Sequence, residues 1–401
     1  MNYFIFKNGR IKESNVHVLC YAICVFLFAI GHTKIQKINF FTSITVTYGK
    51  FVPLILSFIL IIKKRRYNTR SLILFSVFLL MIGYSFIVND LSYVAFFLVF
   101  FILVCGYSDE STIYKLYVYG VFLVILVTVI LATTGFLEND NSWYGRYDLG
   151  FTYCTFGPNL FLSATLALIA WKKEKMSWAH WIFILLLNQF FYWKTNTDAI
   201  YLSVIMAFIL WLAIHNRAVD RIIIYNKIVG FLCDHAYTII AIFTIIFQLY
   251  YNAHYLNGSM VAMNRLLSTR LIMGRNVFLK YGPELSQVIH ELIFGMGVEK
   301  ASYLDSSYLA LLTYYGIPMM LIFCYLMNVM CKNARINGNT YLVICLMVFA
   351  VHSITDPQLS SFRANPLIIS SLIFFMEGKK INGIKKYKLQ YTIRKQERWY
   401  K

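Results

Sequence analysis

The sequence predicts an all-α, polytopic membrane protein of about twelve transmembrane helices with one long extracytoplasmic loop. Of its 401 residues, 59% are hydrophobic and 14% charged. A soluble domain carries roughly 25% charged residues, so too little polar surface exists to cover a water-facing globule. The apolar residues come in blocks of roughly 16 to 24, long enough to cross a hydrocarbon core of about 30 Å as helix. Basic residues gather between alternate blocks, the pattern of cytoplasmic loops under the positive-inside rule.

The blocks place helices near 16–32, 41–62, 71–88, 91–107, 113–135, 155–171, 177–193, 199–215, 228–250, 307–331, 340–355 and 364–377. The first follows Lys7, Arg10 and Lys12 and leads into His32-Thr33-Lys34 rather than a small-residue cleavage site, so it reads as an uncleaved span. With the amino terminus inside, the inner segments hold Lys63 to Arg70, Lys172 to Lys175, Arg217 to Lys227, Lys332 with Arg335, and a basic tail. The short outer loops are poorer in cations: Asn89-Asp90, Arg146 within 136–154, and Arg363 within 356–363. An even number of spans then returns the carboxyl terminus to the cytoplasm. The organisation is one membrane domain over 1–377 and a cytoplasmic tail over 378–401.

A net charge of +19 could point to nucleic acid, but its placement in loops and tail argues for membrane orientation instead, and no nucleic-acid partner is expected. None of the eight cysteines forms a Cys-x-x-Cys pair, so neither a metal site nor a disulfide is expected. Trp171, Trp178, Trp181 and Trp193 fall at block ends, where an indole ring suits the headgroup level, and read as interface anchors. Lys50 lies inside the second block, where an ionisable group is costly. It is a candidate either for a substrate cavity or for an internal ion pair.

Residues 251–306 form the one long connection. Neither low-complexity nor rich in Pro and Gly, the segment reads as folded, and long ordered loops tend to carry function. Arg265, Arg270 and Arg275 interrupt an apolar stretch in it. Outer loops need no arginine for orientation, and guanidinium suits phosphate or pyrophosphate oxygens. On one straight helix, Arg265 and Arg275 would lie about 80° apart and Arg270 about 140° from either. Either the segment bends, or one arginine serves a structural ion pair. An amphipathic interfacial helix with solvated arginines is the plainer alternative. Asp305 stands just before the tenth span. It suits a helix N-cap, the reading that spacing alone favours, or a base taking a proton from an acceptor hydroxyl. His352 and Asp356, near the outer end of the eleventh span, are candidates for cavity lining or for helix-end packing.

Several of these segments together resemble the O-antigen and capsular polysaccharide polymerase family (Wzy-like), kin to the O-antigen ligases. Asn264, Leu267, Ser268, Arg270, Tyr281 and Gly282 occupy the places of its Asn-x-x-Leu-Ser-x-Arg and Tyr-Gly elements. Asp305-Ser306-Ser307-Tyr308-Leu309, with Tyr315-Gly316-Ile317 after it, is similar to its Asp/His-Asn-Ser-Tyr-Leu and Tyr-Gly-Ile segments. Arg146 to Phe151, Gly157-Pro158-Asn159 and Thr195-Asn196-Thr197-Asp198-Ala199 resemble further family elements. The chain departs from the pattern at Gly157 (histidine in the family), Ser306 (asparagine) and Asp198 (often arginine).

The resemblance implies a membrane glycosyltransferase of GT-C-like architecture, without metal or other cofactor. It would join oligosaccharide repeat units carried on undecaprenyl pyrophosphate, on the outer face of the bacterial cytoplasmic membrane. The polymer would be capsule, exopolysaccharide or O-antigen. Catalytic roles fall to Arg270, Arg275 and Asp305, and substrate contacts to Arg146, Arg265, Asn159, Asn264, Ser307, Tyr308 and Lys50. Membrane lipid, a chain-length regulator and a flippase are the implied partners. Two rivals stay open: an O-antigen-ligase-like transferase, and a flippase or other transporter of lipid-linked oligosaccharides.

Overall fold

The computed structural model describes residues 3–6, 9–49, 110–142, 145–281, 284–297, 300, 304–359 and 365–367. The expected spans at 71–88 and 91–107, most of those at 41–62 and 364–377, Lys50 and the basic tail lie outside the described residues.

A short hairpin of β1 (Tyr3–Phe6) and β2 (Gly9–Lys12) leads into α1 (Glu13–Ile30). α2 (Phe40–Tyr48) starts at Asn39, whose Oδ1 accepts from the Thr42 amide at 2.8 Å, satisfying one of the donors a helix start leaves unpaired. α3 (Glu110–Thr133) is followed by β3 (Asn141–Ser142) and β4 (Arg146–Tyr147), a two-stranded ribbon within the 136–154 connection. Then come α4 (Phe156–Lys172), α5 (Trp178–Thr195), α6 (Asp198–His215), α7 (Arg217–Tyr225), α8 (Lys227–Asp234) and α9 (Ala236–His254). Three short helices follow, α10 (Gly258–Leu266), α11 (Arg270–Phe278) and α12 (Leu285–Phe294). α13 (Ser307–Ile336) and α14 (Thr340–His352) complete the described helices.

The described chain is mostly helical. Within it α3, α6, α9 and α13 are long and apolar enough to cross a membrane. Large apolar side chains such as Leu123, Leu126, Ile182, Leu186, Ile242 and Phe243 stand exposed on three helices, where water would penalise them. Both features make this a membrane protein.

α4 is the central helix, with every residue from Gly157 to Ala170 buried. Its small residues, Ser163, Ala164, Thr165, Ala167 and Ala170, let α3, α5, α6 and α14 approach closely. Trp181 corrects the expectation of an interface anchor. It points into this core, fully buried, with its ring centroid 5.4 Å from that of Trp211. Trp178 and Trp193, by contrast, are exposed.

The ninth and tenth spans also differ from expectation. A single helix over 228–250 is replaced by α8 and α9, broken at His235. α13 is kinked at Gly316 (φ 83°), two residues before Pro318, which lacks an amide hydrogen and crowds the preceding turn. Among its described residues, the segment 251–306 comprises the end of α9 and three short helices.

The helices alternate direction, so their ends sort into two groups. The starts of α4, α6 and α13 and the end of α14 meet through Asn159, Ser203, Ser307, His352 and Asp356. The opposite ends of the same helices, at Lys172, His215, Asn337 and Thr340, border one common cavity.

Candidate functional site

The segment carrying the three arginines bends, because two consecutive residues with side chains, Ser268 (φ 51°) and Thr269 (φ 68°), adopt the left-handed conformation. Such backbone is disfavoured outside glycine and persists only where its surroundings hold it. Asn264 supplies that hold. Its carbonyl accepts from the Thr269 amide at 2.8 Å, and its Oδ1 accepts from the Ile272 amide at 3.1 Å. The turn separates Arg265, exposed on α10, from Arg270, the first residue of α11.

α11 is pinned to α9 at its middle. Gly274 packs so closely on Gln248 that an added Cβ would lie 2.4 Å from its Oε1, and Gln248 Nε2 donates to the Leu271 carbonyl at 3.0 Å. Further along, Arg275 stacks over the Tyr255 ring at 3.7 Å from its centroid, a cation–π contact. The three arginines therefore do not converge.

Arg270 instead meets Asp305. Its Nε lies 3.1 Å from Asp305 Oδ2, and the two side chains keep 28% and 23% of their exposure, so a ligand can reach both. Asp305 is not the helix cap that spacing favours, for α13 starts at Ser307 with Ser306 in the cap position. Burial pushes the Asp305 carboxyl up against the opposing pull of Arg270. Desolvation disfavours the charged form and here outweighs the ion pair.

Arg146 and Tyr153 come to the same end on the 136–154 connection. Burial and the neighbouring Cys154 and Asp305 push the Tyr153 hydroxyl up, with Arg146 and Arg270 opposing. Its two charged loops thus share one electrostatic neighbourhood. That connection is clamped by Lys34, whose Nζ lies 2.6 Å from Asp140 and 2.7 Å from the buried Asp148. The Lys34 amide also donates to the Gly150 carbonyl at 2.7 Å.

Behind the ion pair lies a buried polar network. Asn159 Nδ2 donates to Asp356 Oδ2 at 2.9 Å, and its Oδ1 pairs with His352 Nε2 at 3.3 Å. His352 Nδ1 lies 3.1 Å from Ser203 Oγ, whose hydroxyl donates to the Ala199 carbonyl at 2.7 Å. Burial pushes the Asp356 carboxyl up to about 7, opposed by Asn159 and Gln358, with the charges of Asp305 and Arg270 acting in opposite senses. Gly157 leaves no room for a side chain, since a Cβ there would lie 2.7 Å from the Phe151 ring. A histidine reaches Asn159 all the same, from α14.

Two residues singled out in the sequence act as struts. Ser307 Oγ donates to the Asp356 carbonyl at 2.6 Å and accepts from the Leu359 amide at 2.9 Å. Tyr308, fully buried, donates to the Ala350 carbonyl at 2.9 Å. The Thr195–Ala199 segment is likewise a turn, with Asn196 (φ 47°) closing α5 and Thr195 and Thr197 hydroxyls 3.0 Å apart. Lys34, Ser203 and the Tyr153 hydroxyl are contributors that sequence reading missed. Each acts through a partner distant in the chain. The arrangement offers a reachable cation, a reachable carboxyl and a buried carboxyl that can hold a proton near neutrality.

Comparison with protein-family models, curated proteins and solved structures gave no match to the chain.

Proposed function

We propose that this chain polymerises lipid-linked oligosaccharides, joining repeat units carried on undecaprenyl pyrophosphate at the outer face of the cytoplasmic membrane. The single observation supporting this most is the Arg270–Asp305 pair. It joins the two segments whose motifs carry the family resemblance, beside the loop of Arg146. In the full reading, twelve helices span the bilayer, both termini are cytoplasmic, and the Arg270 end of the bundle faces outward.

The residues suit glycosyl transfer. The bond between the donor sugar's anomeric carbon and the pyrophosphate oxygen breaks, and the electron pair leaves with the pyrophosphate. A fixed guanidinium stabilises that developing charge. Arg270 takes this role, with Arg146 as a second contact from the neighbouring loop. An incoming pyrophosphate competes with Asp305 for Arg270 and frees the carboxylate. Asp305 then accepts the proton of the acceptor hydroxyl as its oxygen bonds to the anomeric carbon. Arg275, stacked on Tyr255, serves to anchor α11, and Asn264 to hold the turn that presents Arg270. Arg265 is left free to meet lipid phosphate or the sugar chain.

Purified protein supplied with lipid-linked repeat units tests the reading. A ladder of longer lipid-linked chains, lost in Arg270→Ala, is the expected result. Transfer to a different acceptor would identify a ligase instead, and unchanged chain length would identify a transporter. Accessibility labelling of residues 264–305 from the cytoplasmic side would overturn the orientation.

A further inference from the structure

At the end of the bundle opposite Arg270, a cavity of about 1010 Å³ opens among the helix ends. Lys172, Lys173, Lys175, Arg217 and Arg221 line it, against two carboxylates, Glu174 and Asp220. These cations come from two places, the Lys172–Lys175 run at the end of α4 and α7. The fold brings the two together around one cavity. α7 and α14 begin at the cavity and α4, α6 and α13 end there, so the helix dipoles oppose one another and the positive excess comes from the side chains.

Three of these cations are not consumed by the protein. Lys173, Lys175 and Arg217 have no carboxylate within ion-pair distance among the described residues, and Lys172 rests over the Trp171 ring at 4.6 Å. Lys173 also has a positive φ (51°), which turns the chain sharply between α4 and α5. Trp171, Tyr225 and Tyr341 share the lining, and such rings suit the headgroup level of a bilayer. The cavity therefore combines excess positive charge, room for a headgroup and a rim of amphipathic rings.

We infer that this cavity binds a phosphate group at the membrane surface opposite the Arg270 site, the natural source being an anionic phospholipid headgroup. Basic pockets between helices on the cytoplasmic side bind lipid phosphates by the same physics. The alternative source is free inorganic phosphate, which presents the same oxygens without acyl chains. The inference is independent of the polymerase reading, because it concerns other residues at the far end of the same helices.

The full chain in detergent is titrated with dioctanoyl phosphatidylglycerol, with dioctanoyl phosphatidylcholine and with inorganic phosphate. Retained adducts are followed by native mass spectrometry. The expected result is a saturable phosphatidylglycerol adduct whose affinity falls tenfold or more in the triple variant Lys173→Gln, Lys175→Gln, Arg217→Gln. Phosphatidylcholine should not compete. Competition by inorganic phosphate at similar concentration would support the site while naming the free anion as its ligand. Equal phosphatidylglycerol affinity in the wild type and a folded triple variant would overturn the site, and so would equal competition by phosphatidylcholine. The cations would then serve only to orient the chain. Thermal unfolding of the triple variant shows whether it is folded, and the conservative variant Arg217→Lys should keep most of the affinity.

Discussion

Arg270 and Asp305 meet at 3.1 Å from opposite sides of the α12 segment, each still open to solvent. Removal of either partner should be felt first in chemistry. Arg270→Ala should lower chain extension by roughly 100-fold or more, the scale seen when one donor to a developing anion is lost. Arg270→Lys should restore little, because a lysine lacks the planar fork. Asp305→Asn, which keeps the shape and removes the charge, should lower extension while leaving binding of the lipid-linked donor intact or tighter. Turnover and donor affinity measured separately check this. Weaker donor binding in Asp305→Asn would count against competition between pyrophosphate and Asp305 for Arg270.

Asp356 should make stability depend on pH. Its carboxyl holds a proton up to about pH 7 in the folded chain, whereas an unfolded one loses it near about 3.9. Between those values the folded carboxyl holds a proton that the unfolded one has lost, so the contribution of this group to stability falls as pH rises through the window. The full cost, reached above about pH 7, is on the order of 4 kcal/mol. Asn159, Gln358, His352, Asp305 and Arg270 are the groups that face or act on this carboxyl, and all remain in Asp356→Asn. The stability difference should shift in favour of that variant between about pH 4 and pH 7, and the variant should match or exceed the wild type at about pH 8. Thermal unfolding across pH gives the comparison, and parallel curves would exclude a titrating Asp356.

Lys34 should govern the order of the Arg146 loop. Lys34→Met leaves Asp148 buried without its cation. Breaking a buried pair on one side costs about 3–5 kcal/mol. The exposure of Asp140 reduces this to about 2 kcal/mol. Faster amide exchange over 136–154 and a lower Tm should appear together. Unchanged exchange there would show that the ribbon holds without the clamp.

Gly316 should tolerate no side chain. A Cβ there would lie 2.2 Å from the Ile293 carbonyl oxygen at a φ of 83°. Gly316→Ala should cost at least about 2 kcal/mol. Gly120→Ala, where the nearest atom would be 3.5 Å away, is the control. Comparable losses at both positions would mean that the crossing is looser than its geometry.

The sequence made much of this legible and hid a definable remainder. Long apolar runs placed α3, α4, α6 and α13 within a few residues, because a lipid-crossing helix has a length that composition reveals. Arg270 and Asp305 stood out because charge in an apolar stretch is costly. The pairing between them did not, since it depends on the turn at Ser268 and Thr269, where neither residue type favours positive φ. Lys34 was read only as part of the stretch standing in place of a cleavage site, and its two aspartates lie more than a hundred residues away. Trp181 was misplaced because a ring at a block end looks the same whether it faces lipid or core. The kink at Gly316 had a signal, a glycine two residues before a proline within an apolar run, which a hydropathy reading passes over.

The crossing of α12 and α13 bears on how Asp305 is carried. Gly295 and Gly316 let the two backbones touch, the amide of Met296 donates to the Thr313 carbonyl at 2.8 Å, and the Leu304 amide donates to the Tyr314 hydroxyl at 2.9 Å. The upper part of α13 is thus tied to α12, while its lower part is tied to α8 and α9. The upper part is also bonded to the end of α14 and beyond, Ser307 to the Asp356 carbonyl and Tyr308 to the Ala350 carbonyl. Asp305 therefore stands at the head of a segment gripped from two sides, which fixes the carboxylate in place although the helix bends below it.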